Sequence, residues 1–225
     1  MAGIDWFKGF KNRHTNISIR VPEGCSIARA SAFNKINVDN FFDKLNEVLK
    51  RNSFMDGSRL YNMDETSTST VQNARKIICL KGVKQVHQVK SAERGTSVTT
   101  CCFIRAGVII PPVMIFPRKY FKSSMIINAF PGTLGLANDK GYMTKETFVD
   151  VMKHFVKCSS SSKENPTLLL IDNVKTHLSA SAINIARENG VTLFTFPPHC
   201  THKLQPLDVG IFGPFKLYYD NAINS

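Results

Sequence analysis

No stretch of this chain is both long and apolar. The longest apolar run, VIIPPVMIF from Val108 to Phe116, is too short to span a bilayer and is broken by two prolines. The opening MAGIDWFKGF has no secretory apolar segment. Six cysteines stand at 25, 79, 101, 102, 158 and 200, and no two form a C-x-x-C pair. That spacing excludes a disulfide framework and points to free thiols in a reducing compartment. HCTH at 199–202 has no second half-site, so structural zinc is not expected. There is no internal repeat, no G-x-G-x-x-G, no P-loop, and no clear serine or tyrosine nucleophile motif. Negative charge is scarce in one stretch: between Arg75 and Lys122 ten Lys/Arg face a single acid, Glu93.

What remains is an ordinary globular composition of 225 residues, 43% apolar and 20% charged. That length allows one substantial domain plus a small appendage. The net charge is +12, from 29 basic and 17 acidic residues. A scattered basic excess is usually a solvated surface. Concentrated in one segment, it tips toward a nucleic-acid partner.

Residues 1 to about 53 read as helical. Trp6, Phe7 and Phe10 recur at i, i+1 and i+4. Ser26 resembles a helix cap. Val38, Phe41, Phe42, Leu45 and Leu49 form a stripe on a helix starting near Asn37 or Asp39. Three short helices with basic residues are compatible with a helix-turn-helix module and equally with any small bundle. FMDGS at 54–58 reads as a linker. Beyond it, RLYNMDE reads as a strand, and TSVTTCCFIRAGVIIPPVMIFP as two strands joined near Ala106–Gly107. TKETFVDVMKHFVKC is an amphipathic helix capped by Thr144, with Thr147, Phe148, Val151 and Phe155 inward. TLLLIDN is a strand covered on both faces. SASAINIARENG is a helix closed by Gly190. VTLFTFPP is a further buried strand stopped by Pro197–Pro198, and a last helix follows LQPLDVGIFGPF. The order β, β, β, α, β, α, β, α predicts an α/β fold: a ribonuclease H-like mixed sheet flanked by helices, with right-handed crossovers.

Three aspartates stand out: Asp64 in RLYNMDET, Asp172 after TLLLI, and Asp208 in LQPLDVGIF, the last two separated by 35 residues. In open α/β sheets functional groups collect at the carboxyl ends of strands. Asp172 occupies such an end, Asp64 lies near the end of the first core strand, and Asp208 would enter from the start of the last helix. Clustered carboxylates repel unless cations neutralise them. Magnesium, a hard oxygen-seeking ion, suits such a set, and two ions can clamp both oxygens of an in-line phosphodiester displacement. Singly, each aspartate has a plainer reading: a turn or cap for Asp64, an Asx turn for Asp172, an N-cap for Asp208. Glu65 is a candidate fourth ligand, but it should face away from Asp64 because neighbours on a strand alternate. His177 would orient DNA or a carboxylate, or serve structure alone.

At these residues the chain resembles the DDE-superfamily endonuclease domain of pogo, Tigger and jerky-like transposases. The resemblance is carried by NMDET, KQVHQVKSAERG, PPVMIFP, GYMTKETFVDVMKHFVK, LLLIDNVKTH and, most specifically, FPPHCTHKLQPLDVGIFGPFK. AGIDWFKGFKNRH through SIARASAFNKINVDNFFDKL resembles the latter part of a centromere-protein-B-type helix-turn-helix domain. Together these cover residues 3 to 222. The implied organisation is a partial DNA-binding region over 1–53, a linker over 54–58 and a C-terminally truncated catalytic domain over 59–225.

The resemblance implies that Asp64, Asp172 and Asp208 are both catalytic and metal-ligating. They would hold two Mg2+ or Mn2+ ions for cleavage and strand transfer on transposon-end or target DNA, by a homodimer in the nucleus. Expected DNA contacts are Lys81, Lys84, Lys90, Arg94, Arg118, Lys119, Lys122, His177, His202 and Lys203. Three departures matter. Val174 stands where the family often has histidine, and the chain opens inside the DNA-binding domain and ends 17 residues after Asp208. The latter predicts a fragment, a degenerate copy or a truncated gene, with a catalytically silent DNA-binding protein as the alternative reading.

Overall fold

The computed structural model describes residues 3–20, 24, 26–52, 54, 56–71, 78–83 and 95–224. Three helices come first: α1 (Ile4–Arg13), α2 (Ile27–Ala32) and α3 (Lys35–Arg51). Ser26 caps α2 by accepting from the Arg29 N–H. Asn34 caps α3 the same way through Asn37, so the helix starts slightly before the expected Asn37 or Asp39. Its apolar stripe also divides. Phe41 is buried and stacks on Phe196, whereas Phe42 is 51% exposed.

A six-stranded sheet follows, built from β1 (Leu60–Ser69), β2 (Ser97–Arg105), β3 (Val108–Pro117), β4 (Leu134–Asn138), β5 (Thr167–Ile171) and β6 (Val191–Thr195). Their spatial order is β4-β3-β2-β1-β5-β6. β2 alone runs antiparallel to its neighbours; the pairs β3–β4, β1–β5 and β5–β6 are parallel. The carboxyl ends of β1, β3, β4, β5 and β6 therefore all point to one edge.

The hairpin between β2 and β3 turns at Ala106–Gly107, where Gly107 takes φ +72, a conformation that costs glycine little. Pro111 and Pro112 fall where the β2–β3 register shifts, between the pairs Phe103↔Ile110 and Cys101↔Val113. A bulge is where a strand tolerates residues that lack an N–H.

Helices α4 (Lys145–Ser159) and α5 (Ala180–Glu188) cover one face of the sheet. Thr144 and Thr147 form a capping box on α4. Phe148, Val151, Met152 and Phe155 bury their side chains against Tyr61, Met63, Phe103, Leu169 and Ile171. Gly190 has φ +66, and a Cβ there would meet the Ser162 carbonyl oxygen at 2.0 Å, so only glycine fits the return from α5 to β6. On the other face α3 sets Phe41 against Leu170 and Phe196. The same face receives α6 (Thr201–Leu204), a π-helical turn (Leu207–Ile211) and α7 (Phe212–Ile223).

Two sequence expectations change. LGLAN is a fourth parallel strand that the element order lacked; its glycine and asparagine hide the strand signal, and pairing to β3 supplies the order. β6 is an edge strand, mostly half-buried rather than covered on both faces.

Candidate functional site

β1 and β5 are parallel neighbours, and their last paired residues are Asn62 and Leu170. Two residues further on stand Asp64, midway along β1 rather than near its end as expected, and Asp172, just past the end of β5. Asp208 lies on the π-helical turn, the kind of local widening often found at functional sites. A buried polar staple ties that turn to β1. Asn62 Nδ2 donates to the Gln205 side chain at 2.9 Å and to the Leu170 carbonyl at 3.2 Å. The Asn62 side-chain oxygen accepts from the Leu207 N–H, and Gln205 donates to the Met63 carbonyl. Both side chains are buried, so their pairing is obligatory. Neither was singled out from sequence; the available signal was a polar residue inside each apolar pattern, YNM and KLQPL.

Asp64 is buried, and its carboxyl is raised to about 7. Burial is the largest cause; the Asp208 and Glu65 charges push the same way, while the Glu65 N–H and Gln205 oppose it. Asp208 is raised too, first by burial and then by Asp172, against Lys216, Arg29 and His202. Its surface is exposed, so the protein packs round its base rather than over it.

Glu65 points to the opposite face, as strand alternation requires. There His177, 1% exposed, stands between two acids. Its Nε2 is 2.8 Å from Glu65 Oε1, and its Nδ1 is 2.5 Å from Asp172 Oδ1, off the line of an ideal hydrogen bond. The ring packs on Phe148 of α4 at 4.4 Å. Burial favours the neutral imidazole, but the two carboxylates together outweigh it and raise the group to about 10. His177 therefore orients a carboxylate. An enclosed ring held this way is not a DNA contact, which corrects that part of the expectation.

The oxygen-only set Asp64, Asp172 and Asp208 fits a hard divalent cation by donor type and by its unbalanced charge. It is not a preformed cage: among the described residues no three His, Cys, Asp or Glu side chains could jointly hold one ion. Cys102 is the Cα partner of Asp64 on β2, and its thiol is raised to about 11, by burial first and then by Asp64. In that state it is a neutral neighbour of the site.

Of the expected DNA contacts, Arg118, Lys119 and Lys122 are exposed just after β3, at the sheet edge that carries the aspartates. Lys81 and Lys203 are exposed as well. His202 is half-buried, with its ring 6.1 Å from Phe33. Lys84, Lys90 and Arg94 lie outside the described residues. Val174, where the family often has histidine, is 44% exposed.

Similarity to known proteins agrees with this layout. The structure resembles the Mos1 transposase paired-end complex with left transposon end, at TM-score 0.57 and 12% identity, covering 94% of this chain and 56% of that one. It also resembles the Mos1 mariner paired end complex with Mn, at TM-score 0.56 and 13% identity, covering 94% and 56%. At such identity the likeness shows the fold, a ribonuclease H-like transposase catalytic fold. A 122-residue stretch, 53% of this chain, is 32% identical to the MFS-type transporter clz9 of Cochliobolus lunatus and spans 13% of that protein. Among the described residues no helix is long and apolar enough to cross a membrane. The model of the DDE superfamily endonuclease matches residues 93–225, more than half of the sequence, and the chain belongs to that family.

Proposed function

We propose that this chain is a transposase-derived domain that binds DNA and hydrolyses and transfers its phosphodiester bonds with a divalent metal, Mg2+ or Mn2+. The observation that supports the reading is that Asp64 and Asp172 lie two residues past the last pair of the parallel strands β1 and β5, while a buried Asn62–Gln205 staple ties the turn bearing Asp208 to β1. The three carboxylates would hold the ions. When bound, the metal lowers the pKa of a water and stabilises the departing 3′ oxygen. The chain's own residues set the geometry. β1 and β5 fix the spacing of Asp64 and Asp172. His177, anchored by Glu65, holds the Asp172 carboxylate. Arg118, Lys119 and Lys122 extend a basic rim along the same edge to receive phosphates. DNA in this reading is the transposon end or its target, the protein acts as a homodimer, and the compartment is the nucleus. Magnesium or manganese belongs to the proposal on the donor chemistry of the site; the Mos1 structures named above include one with Mn.

A second reading has its own support. The carboxylates are not preassembled around an ion, and Val174 replaces the expected histidine. A catalytically silent DNA-binding protein would show both features. Incubation of supercoiled plasmid with the protein and Mn2+ separates the two. Nicking that disappears in Asp172→Asn while DNA binding persists supports the enzyme. Nicking that survives the substitution removes this site from the reaction, and binding without nicking in either protein selects the silent binder.

A further inference from the structure

Arg29 and Lys216, cations from two separate elements, act on the charge of Asp208, and both come from parts of the chain to which the sequence assigned no role at the site. α2 packs against the start of α6: the Cys200 thiol donates to the Ala32 carbonyl at 3.4 Å, and Phe33 meets the His202 ring edge-on. Arg29 lies four residues before Phe33, and the Phe33 N–H bonds to the Arg29 carbonyl, so the two side chains share one face of the helix. That face is the one turned to α6 and the site. Lys216 follows Asp208 by eight residues, two turns along the continuous run from the π-helical turn into α7. Both cations are close enough to Asp208 to act on its charge. Yet neither Arg29 nor Lys216 forms an ion pair within 4.0 Å among the described residues, whose pairs all lie elsewhere. His202 Nδ1 is likewise buried with no hydrogen-bond partner among the described residues. Cations held near a carboxylate but not spent on it are placed for an anion that enters between them.

We infer that Arg29 and Lys216, together with His202, form a phosphate-binding rim beside Asp208 that holds one stretch of the substrate DNA backbone against the metal-binding carboxylates. The inference rests on the proposed function. It adds that α2, from the N-terminal helical region, is part of the active site. Arg29 contributes a planar two-pronged donor matched to phosphate oxygens, and Lys216 contributes a point charge. The plainer account is that both are solvated surface cations with no fixed partner, and the following experiment decides between them.

Binding of a short fluorescein-labelled DNA duplex to the full chain is followed by anisotropy, without divalent metal, over a series of salt concentrations. Each phosphate contact removed should lower the slope of log K against log salt by about 0.9. Arg29→Ala with Lys216→Ala should therefore lower it by about 1.8 and weaken binding at low salt by at least tenfold. Arg29→Lys should keep the slope and lose part of the affinity. Lys153→Ala, on the far face of the sheet, should change neither. Both substituted residues are exposed, so the variants should keep the wild-type melting temperature. An unchanged slope in the double variant, or an equal fall in Lys153→Ala, overturns the rim while leaving the proposed function intact. A wild-type protein that does not bind the duplex overturns the proposed function, and the rim with it.

Discussion

The two faces of β1 carry adjacent carboxylates with opposite fates. On one face Tyr61 and Met63 are packed in the apolar core, and the next inward residue, Glu65, ends the row against His177. On the other face Asn62 is stapled to Gln205, and the next residue, Asp64, is buried, with the Asp208 charge acting on it and no cation against it among the described residues. Glu65 is neutralised from within the chain. Asp64 is left with a charge that burial and its neighbours disfavour. A compensated acid positions something else; an uncompensated acid near others of its kind waits for a cation from outside. One strand thus separates support from chemistry by side-chain alternation alone.

The largest test of that contrast compares Asp64→Asn with Glu65→Gln. Loss of Asp64 should cut plasmid nicking by about a thousandfold, some 4 kcal/mol of barrier at 1.36 kcal/mol per tenfold, and should abolish the Mn2+-induced thermal shift. Loss of the Glu65 charge should reduce nicking or metal affinity by about 10–100-fold, as for residues that orient a ligand. Equal losses would erase the distinction between the faces.

Stability gives the next contrast. His177→Phe leaves Glu65 and Asp172 without the group between them, and urea unfolding should show a loss of about 3 kcal/mol. Gln205→Ala strands the Asn62 side chain and the Met63 carbonyl, at about 1–3 kcal/mol. A Gln205→Ala protein with wild-type stability would mean that the staple does not hold the turn bearing Asp208.

The smallest effect is on pH. A group whose folded pKa is raised contributes stability below its unfolded value, and that contribution is lost as pH rises through the folded value. For Asp64 the window runs from about 4, the ordinary aspartate value, up to about 7. Metal-free protein should therefore lose stability from this group as pH climbs through that window. Mn2+ should stabilise it more at the upper end than at the lower. Asp64→Asn should remove the slope. A melting temperature flat across the window in wild type would contradict the charge picture of this face.

Much of the fold was legible. The period-2 and period-3.6 patterns place β1, β2, β3, α4, β5 and α5, and Thr144, Ser26 and Gly190 mark their ends where the structure has them. β4 was not legible, because LGLAN has neither β-branched residues nor alternation and takes its order from the strand beside it. The candidate aspartates were picked out as strand-end and helix-start residues, although Asp64 lies midway along β1 and Asp208 on a π-helical turn; Asn62, Gln205, Arg29 and Lys216 were not picked out. The first three of these gain their meaning from residues far away in the chain, and no local pattern encodes that.

The sequence by itself determined the elements, their order, the basic bias and the three aspartates, since propensity, periodicity and turn chemistry act over a few residues. Only the tertiary structure decided how the acids are placed. Asp64 and Asp172 follow the last pair of two neighbouring parallel strands, and a buried Asn–Gln pair brings the turn of Asp208 to β1. An enclosed histidine claims Glu65, and α2 packs against the start of α6. These are contacts between segments more than a hundred residues apart along the chain, made because buried polar groups must find partners and strands must satisfy their ladders.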